Sequence, residues 1–453
     1  MAIQLYDDQQ VALDWLLAHQ RGVLGDEYGI GKSYPTITAA TCVWGRKLVV
    51  TQAYLIPQTV QMILDVNPYA EITPVDGETP AAKKFQLGLK SEWTIVSYNL
   101  LAMPAYQPLI EALIRNVQVV WFDEAHRLRT RTNAWTKFAW KVLHPGRFKG
   151  RVWMTTGTPQ KRDGGDWYPY LKLCDPQVWS SYWRFCETYC HMEYTPWATE
   201  PRGIKSPELF AEAIKPYVLA RSWADIGRSI PDYVPKNVWI DPPPMIKQLH
   251  AQAKKEWRVT YPDYEKLLLS AGAVIAELRQ LTGDPPTPTS PKVQMAASII
   301  EDEASDEQAI VWTWHRRTAR RAYRELQARF PRRPVFMATG ETPASERAHQ
   351  VEQFKGTKNG LLVANIAALG LGENLQTGHV AVLIEECELE TDNEQAIARQ
   401  RRTGQLHPVR LFDVHLKNTV DGSVHKAAER RFTDAQSTNR ALRFIVDDLL
   451  ASP

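Results

Sequence analysis

The sequence has no apolar run close to the roughly 20 residues that a membrane-spanning helix needs. Its first nine residues, Met-Ala-Ile-Gln-Leu-Tyr-Asp-Asp-Gln, contain no basic segment followed by an apolar one, so we expect no secretory signal peptide. Five cysteines in 453 residues are few and odd in number, which is typical of reduced thiols. We therefore expect no membrane partner and a cytoplasmic location, in a bacterium or an infected host, or a nuclear one if the source is eukaryotic.

Two cysteine pairs at the spacing of a structural zinc site are also absent. Cys186, Cys190 and His191 lie close together with Cys174 upstream, but they do not form the two pairs that a structural zinc site usually shows. We interpret the cysteines as core thiols and keep a zinc site as the lesser alternative.

The chain has little excess charge of either sign, because 54 basic residues face 51 acidic ones. A net charge of +3 does not by itself indicate a nucleic-acid partner. The hydrophobic content of 44% and the charged content of 23% are ordinary for a globular protein. The length is sufficient for two large domains, each with its own core.

Short apolar runs rich in β-forming residues alternate with helical patterns through the first part of the chain. The segment Asp8–His19, for example, places most of its large apolar residues on one helical face. This alternation predicts a parallel sheet wrapped by helices. The predicted strands are Gly22–Gly25, Lys47–Gln52, Ile72–Val75, Trp93–Tyr98, Val117–Phe122 and Val152–Thr155.

A second alternating set follows residues 175–283, which we interpret as mostly helical, and the stiff, linker-like run Asp284–Pro291. The predicted fold class is α/β, with two parallel-sheet lobes and a helical insertion between them. The predicted domains are 1–230 and 231–453, the second with a helical lead-in at 231–290, a sheet core at 291–420 and C-terminal helices. Its predicted strands are Ala309–Trp314, Pro334–Ala338, Leu361–Asn365, Val380–Ile384 and Val409–Val414.

The most informative feature present is a glycine-rich turn at residues 26–33, Asp-Glu-Tyr-Gly-Ile-Gly-Lys-Ser. It follows a predicted strand and precedes a helical pattern, which is the context that a phosphate-binding loop requires. The generic loop begins with glycine where this chain has Asp26, and an ordinary strand-to-helix turn is the alternative. The predicted nucleotide-binding residues of the turn are Gly29, Gly31, Lys32 and Ser33.

Two carboxylates end the apolar run 117–122, in the segment Asp-Glu-Ala-His at 123–126. A side chain at the carboxyl end of a buried parallel strand emerges where ligands bind in such sheets. We predict that Asp123 and Ser33 hold Mg²⁺ and that Glu124 orients and deprotonates the attacking water. The alternative, a solvated surface pair, gives no reason for two acids to end so apolar a strand. Together the two motifs predict that the chain binds and hydrolyses ATP or GTP.

With these motifs the chain resembles the Swi/Snf-type ATPases of helicase superfamily 2 over nearly its whole length. Residues 5–16 look like the family's adenine-recognition segment, with Gln9 as its glutamine, and the family's own phosphate loop has aspartate where Asp26 stands. Residues 48–53 and 94–98 look like motifs that approach the nucleic-acid backbone, which implies Thr51 and Gln52 as DNA contacts.

Residues 156–159, Thr-Gly-Thr-Pro, resemble the motif that couples the ATP site to the DNA track. The 123–126 segment then corresponds to a DEAH box, and we interpret its histidine as a link to the lobe interface. The coupling residues that the resemblance implies are His126, Thr156, Gly157, Thr158 and Gln405.

Residues 278–280 and 290–292 are similar to the start of the family's second lobe. Residues 365–375 look like its glycine-bearing loop, which implies Asn365 and Gly370 as DNA contacts. The dense basic helical pattern at 316–324 is predicted to be a solvated outer face in preference to a DNA track.

Residues 395–405 resemble the family's final motif, with Arg399 and Arg402 in its two arginine positions. The family usually has an acid where Ala398 stands and a histidine where Arg401 stands. The resemblance implies that both arginines reach across a cleft to stabilise charge on the γ-phosphate.

The resemblance implies two RecA-like lobes that use ATP and Mg²⁺ to move along double-stranded DNA, branched or forked DNA included, in repair, recombination or fork remodelling. A monomeric motor with unidentified protein partners is expected. A helicase of the same superfamily that separates or anneals strands is the first alternative. The second, from another class, is a nucleotide-gated scaffold without hydrolysis.

Overall fold

The structure is a computed structural model that describes residues 4–75, 81–160, 163–194, 199–228, 233–369, 374–387, 390–401, 405 and 407–426. The described residues form two compact units, a first lobe up to Arg228 and a second lobe from 233 to 426. The predicted boundary at 230/231 lies between the two units, outside the described residues, and stays a prediction. Within these ranges no helix combines the length and the apolar character needed to cross a bilayer.

The first lobe is an α/β unit. Its strands are β1 Arg21–Leu24, β2 Arg46–Thr51, β3 Ile72–Pro74, β4 Trp93–Ser97, β5 Val117–Phe122, β6 Arg151–Thr155, β7 Cys190–Tyr194, β8 Thr199–Ile204 and β9 Val218–Leu219. Its helices are α1 Asp7–Ala18, α2 Ser33–Cys42, α3 Ile56–Val66, α4 Ala81–Gly88, α5 Tyr98–Ala102, α6 Gln107–Ile114, α7 Ala134–Val142, α8 Tyr168–Cys174, α9 Tyr182–Tyr189 and α10 Pro207–Ile214.

Seven of these strands form one sheet in the order β3-β4-β2-β5-β6-β1-β9, with every described pairing parallel. Both faces are covered, so successive residues of a strand enter different cores. Val120 and Phe122 of β5 pack in one cluster and Val119 and Trp121 in the other. Burial on both faces explains why such strands appear in the sequence as continuous apolar runs.

The second lobe repeats this architecture. Its strands are β10 Tyr233–Ile240, β11 Arg258–Thr260, β12 Glu265–Leu267, β13 Ala309–Thr313, β14 Val335–Ala338, β15 Leu361–Asn365, β16 Val380–Leu383 and β17 Val409–Leu416. Its helices are α11 Pro244–Glu256, α12 Ala271–Gly283, α13 Pro291–Glu303, α14 Arg316–Arg329, α15 Ala344–Lys355, α16 Ile366–Leu369 and α17 Glu390–Ile397. The sheet order is β10-β17-β16-β13-β15-β14, again parallel throughout the described pairings. The prediction of two parallel-sheet α/β lobes is thereby confirmed.

The middle region, predicted to be mostly helical, also contains strands. Antiparallel hairpins β7-β8 and β11-β12 lie there, and β9 and β10 add edge strands to the two large sheets. Pro235 interrupts the apolar pattern of β10, and proline is tolerated in a strand chiefly at a sheet edge. Cys174, Cys186 and Cys190 are buried in a core of the first lobe, in agreement with their interpretation as core thiols.

Candidate functional site

The glycine-rich turn after β1 has a backbone that only glycine adopts without strain at two positions. Gly29 and Gly31 have φ of 81° and 97°. A Cβ at Gly31 would lie 2.6 Å from Nε2 of Gln9, whose amide donates to the Gly31 carbonyl at 3.1 Å. The Tyr6 amide in turn donates to Gln9 Oε1 at 3.1 Å. Gln9, predicted from the resemblance, therefore lies directly against the turn.

Lys32 and Ser33 are the last two residues of the turn, at the start of α2. The Lys32 ammonium donates to the carbonyls of Asp26 at 2.7 Å and Glu27 at 3.1 Å. Burial lowers the pKa of Lys32, and the negative charge of Glu124 is the first of several that oppose this shift. The predicted lysine of the phosphate loop and the predicted catalytic acid are thus electrostatically coupled in the first lobe. A helix N-terminus beside a lysine is the arrangement that phosphate groups favour.

Asp26, which replaces the generic glycine of the turn, forms a buried ion pair that the sequence does not reveal. Only 1% of Asp26 is exposed, and its Oδ2 lies 2.5 Å from a terminal nitrogen of Arg221. Its Oδ1 accepts hydrogen bonds from the Arg221 backbone N–H at 2.9 Å and from Nε at 3.1 Å. Arg221 also donates to the Asp8 carbonyl of α1 at 2.6 Å. The aspartate therefore fixes the first residue of the turn to a distant segment.

The segment around Arg221 supports the rest of the turn. The Trp223 indole donates to the Tyr28 carbonyl at 2.9 Å. Arg228 donates to the Ile30 carbonyl at 2.6 Å and forms an ion pair with Asp8 at 2.8 Å. Residues 221–228 thus fix the turn through hydrogen bonds to its carbonyl and carboxylate groups. No spacing pattern in the sequence indicated this role.

The predicted acid pair lies at the end of β5. Thr155 and Thr51 donate hydroxyl hydrogen bonds to Asp123 Oδ1 at 2.9 Å and Oδ2 at 3.4 Å. Burial, and then the neighbouring charge of Glu124, raise the pKa of Asp123 to about 7. The Thr155 hydroxyl, the Glu124 backbone and the charge of Lys32 lower this pKa, but they do not offset the effect of burial. A cation such as Mg²⁺ fits such a carboxylate.

Glu124 has a left-handed backbone conformation, with φ of 49°. A non-glycine residue in this region costs about 1–3 kcal/mol and is found mainly at functional sites. His126 Nδ1 lies 3.1 Å from Glu124 Oε2. Burial lowers the pKa of His126, which favours a neutral imidazole beside this carboxylate.

Residues 156–158 lie beside the turn. The Thr158 hydroxyl is 2.8 Å from the Tyr28 hydroxyl, and the Thr158 amide donates to Thr156 Oγ1 at 3.1 Å. A Cβ at Gly157 would lie 2.5 Å from the Tyr28 ring. Tyr28, which the sequence analysis did not single out, thus joins the predicted coupling motif to the nucleotide-binding turn.

The two predicted DNA contacts of the first lobe are buried. Thr51 donates to Asp123, and Gln52 Oε1 accepts from Arg127 at 2.5 Å and 3.2 Å. Both side chains are therefore engaged inside the lobe. Their contact with DNA stays a prediction.

Only some of the predicted functional residues of the second lobe have described positions, because Arg402 and Gly370 lie outside the described residues. Arg399 is 4% exposed, and its carbonyl accepts from the Leu375 amide at 2.9 Å. Asn365 donates to the Trp314 carbonyl at 2.5 Å, and Gln405 donates to the Gln376 carbonyl at 2.8 Å. The roles of these residues stay predictions.

The basic helix α14 carries much of its charge in ion pairs. Arg316 and Arg320 pair with Glu341, and Arg317 pairs with Asp284 at 3.1 Å. This pairing is in keeping with the predicted solvated outer face.

Two family models account for most of the chain. The model described as SNF2-related domain matches residues 8–273, and the model described as helicase conserved C-terminal domain matches residues 291–404. The chain belongs to the SNF2-related family. The predicted resemblance is thereby confirmed, while the narrower description of residues 123–126 as a DEAH box stays a prediction.

Similar proteins of known name are larger. The DNA annealing helicase and endonuclease ZRANB3 of Mus musculus is 23% identical over 439 residues, covering 92% of this chain but 39% of that protein. An uncharacterized ATP-dependent helicase of Mycoplasma pneumoniae is 22% identical over 438 residues, covering 92% and 40%. The chain thus spans about two fifths of the length of these relatives.

A solved structure was also matched. The Sulfolobus solfataricus SWI2/SNF2 ATPase core in complex with dsDNA is 16% identical, with 99% of this chain and 95% of that chain covered, at a TM-score of 0.44. That score is too low to add to the family assignment.

Proposed function

We propose that this SNF2-related chain is an ATP-dependent motor that translocates along double-stranded DNA. The observation that carries the proposal is the site in the first lobe, where the turn with Lys32 follows β1 and the acid pair follows β5, the two strands that flank β6 in one parallel sheet. Phosphoryl transfer needs this combination of cation, metal-binding carboxylate and general base.

Each side chain of the first lobe has a separate role in this proposal. Lys32 and the N–H groups of the glycine-rich turn bind phosphate oxygens, while Ser33 and Asp123 hold Mg²⁺. The bound ion would neutralise charge on the phosphates. Glu124 accepts a proton from the attacking water, and the nearby His126 holds that carboxylate in place.

The second lobe would complete the site in the proposed mechanism. Arg399 and Arg402 would stabilise charge that develops on the γ-phosphate, a contribution on the order of 10³–10⁵ in rate in related hydrolases. Hydrolysis would then require the lobes to close, which would couple it to movement.

Double-stranded DNA is the proposed track. The matched ZRANB3 sequence is described as a DNA annealing helicase, and the motifs shared with the family extend over both lobes of this chain. Branched or forked DNA, and a role in repair, recombination or fork remodelling, form the finer part of the proposal, as does a monomeric state. Strand separation or annealing is the alternative that the names of the relatives favour.

The decisive experiment is the ATPase rate of the purified chain without nucleic acid and with single strands, duplex and forked DNA. We expect duplex and forked DNA to stimulate the rate most, and stimulation to fall as salt rises because phosphate contacts release counterions. Equal rates with and without DNA would reject the motor and favour the non-hydrolysing or DNA-independent alternatives. A duplex-unwinding assay on the same forked substrate separates translocation from strand separation.

The proposed contribution of the second lobe to the ATP site has its own test. Arg399→Ala and Arg402→Ala are expected to leave ATP affinity within a few-fold of the wild type but to reduce DNA-stimulated turnover by about 10³-fold or more. Arg324→Ala, on the basic helix α14, is the matched control and should leave turnover unchanged. Unchanged turnover in the Arg402→Ala variant would remove the arginine assignment while leaving the first-lobe site intact.

A further inference from the structure

Four metal-ligating side chains meet in the second lobe at a place that no nucleotide or DNA motif uses. Glu386 follows strand β16, and Asp413 and His415 are two residues apart on β17. Alternate residues of a strand point to the same face, so both side chains of β17 lie on one side of the sheet. His425 comes from the helical residues 420–426 that follow.

The spacing of the four groups is that of ligands around one small ion. One ligand atom from each residue lies within 4.8 Å of all the others. His415 Nε2 is 3.3 Å from Asp413 Oδ2, and His425 Nδ1 is 3.0 Å from Glu386 Oε1. Tetrahedral ligands at about 2.0–2.1 Å from Zn²⁺ are about 3.3 Å from one another.

The cluster is buried, and two of its atoms lack the hydrogen bonds that burial normally requires. Glu386 Oε2 and His415 Nε2 are shielded from solvent and form no hydrogen bond within the part of the chain that the structure describes. The side chains of Glu386 and His415 are only 6% and 2% exposed. A buried polar atom left in this state is costly unless something bonds to it.

Neighbouring cations are directed at other groups. Lys292 pairs with Asp421 at 2.6 Å and donates to the Ile384 carbonyl at 2.9 Å. Arg279 donates to the backbone carbonyl of Glu386 at 2.6 Å, while the carboxylate of Glu386 pairs through Oε1 with His425.

We propose that Glu386, Asp413, His415 and His425 bind one divalent transition-metal ion of the Zn²⁺ type. Two imidazoles with two carboxylates suit zinc better than Mg²⁺ or Ca²⁺, which prefer oxygen ligands alone. Four protein ligands fill a tetrahedral shell, so the site is structural. The ion ties the helical residues 420–426 to β17 and to the end of β16.

The arrangement without a metal is a carboxyl–carboxylate pair, because an oxygen of Glu386 and an oxygen of Asp413 lie within 4.8 Å of each other. One proton shared between these two groups would then take the place of the ion. The two arrangements differ in whether purified protein binds a metal at this position.

The test uses the full chain freed of metal by a chelator and then titrated with Zn²⁺ or Co²⁺ alone. We expect one equivalent to bind, visible Co²⁺ bands of four-coordinate intensity, and a rise in the unfolding temperature of the second lobe with Zn²⁺. The near-ultraviolet region should show no sulfur-to-cobalt charge-transfer band. Such a band would instead indicate a cysteine site, for example at the neighbouring Cys387.

Variants assign the site. His425→Gln and Asp413→Asn are expected to weaken Zn²⁺ binding by at least about 100-fold, since each removes a direct ligand. His379→Gln is the matched control, because His379 also pairs with a carboxylate, Glu307, at 2.9 Å but lies outside the cluster. It should bind Zn²⁺ like the wild type.

Two results would overturn the proposal. The first is wild-type protein that retains less than one equivalent of Zn²⁺ and shows no Co²⁺ bands, as the proton-sharing pair requires. The second is equal affinity in the His425→Gln and His379→Gln variants. If Asp413→Asn does not fold, the His425→Gln variant, at a more exposed position, and the Co²⁺ spectrum of the wild type still distinguish the metal site from the proton-sharing pair. None of these readouts depends on ATP hydrolysis, so they are independent of the proposed motor function.

Discussion

Two buried aspartates of the first lobe follow parallel strands of the same sheet, yet their surroundings differ. Asp26, after β1, contacts the guanidinium of Arg221 at 2.5 Å. Asp123, after β5, receives hydrogen bonds from two neutral threonine hydroxyls and has the acid Glu124 as its neighbour. Burial and this neighbour raise the pKa of Asp123 to about 7.

The difference separates a charge that maintains structure from a charge that is available for chemistry. A buried acid paired with arginine already has its charge compensated, and removal of either partner leaves the other charge buried and unpaired. A buried acid without such a partner is a position where a metal ion gains most. Because both acids occupy equivalent ends of strands, topology alone does not determine which role an acid takes.

The largest expected effect is on ATP turnover and concerns Lys32, the proposed phosphate-binding cation of the turn that begins at Asp26. Lys32→Ala should reduce ATP turnover by about 10³-fold or more, because the cation that stabilises phosphate charge is lost. The free energy of unfolding should change little. Lys137→Ala, at an exposed position of α7, is the control. Retained DNA-stimulated turnover in Lys32→Ala would reject the site.

Glu124→Gln tests the chemical side of the comparison. Turnover should fall by about 10²–10⁴-fold because the amide does not accept the proton of water, while ATP affinity should stay near that of the wild type. Equilibrium nucleotide binding and single-turnover hydrolysis measure the two quantities separately. Glu208→Gln, exposed on α10, serves as the control. Equal loss of binding and hydrolysis would mean that Glu124 has a different role.

The aspartates themselves should respond in opposite ways. Asp26→Ala should lower the free energy of unfolding by about 3–5 kcal/mol, because it leaves the Arg221 charge buried and unpaired. Asp123→Asn should leave stability unchanged or raise it while abolishing hydrolysis. Urea unfolding followed by tryptophan fluorescence measures the stability of both variants, and the ATPase rate measures hydrolysis.

Two further variants sharpen this experiment. Asp14→Ala, exposed on α1, should change stability by about 0.5 kcal/mol or less. The double variant Asp26→Ala/Arg221→Met should recover part of the loss, since it removes both charges. A stability loss in Asp123→Asn as large as in Asp26→Ala would contradict the comparison.

The last expected effect is the pH dependence of stability in metal-free buffer. The pKa of Asp123 in the folded protein, about 7, lies above the ordinary value of 3.8, so folding favours the protonated acid. The resulting penalty is absent below about pH 4, grows by roughly 1.4 kcal/mol or less for each pH unit up to about pH 7, and is constant above that. The stability of Asp123→Asn relative to wild type should therefore increase over this range. A difference independent of pH would assign the titration to another group.

The sequence predicted the strands well where they are buried on both faces. Val117–Phe122 and Leu361–Asn365 have the predicted limits, because a parallel strand between two cores is apolar at nearly every position. The edge strands β9 and β10 were missed. The first has two residues and the second contains Pro235, so neither shows a recognisable period.

The sequence predicted those residues of the candidate site that lie within short motifs, but not the contacts between residues far apart in the chain. Lys32, Asp123 and Glu124 lie in short segments with a chemical pattern. The partner of Asp26 is 195 residues away, and a contact at that separation depends on how β9 pairs with β1. The cluster of Glu386, Asp413, His415 and His425 likewise arises from the sheet order and has no motif spacing.

The dependence of the nucleotide-binding turn on residues 221–228 decides where the molecule can be divided. A fragment that stops after α10, near residue 214, would contain every motif of the first lobe and would still lack Arg221, Trp223 and Arg228. The Asp26 carboxylate and the carbonyls of Tyr28 and Ile30 would lose these hydrogen-bond donors, and β1 would lose the neighbouring strand β9. Work on an isolated first lobe, by crystallography or by NMR, should therefore cut the chain beyond Arg228.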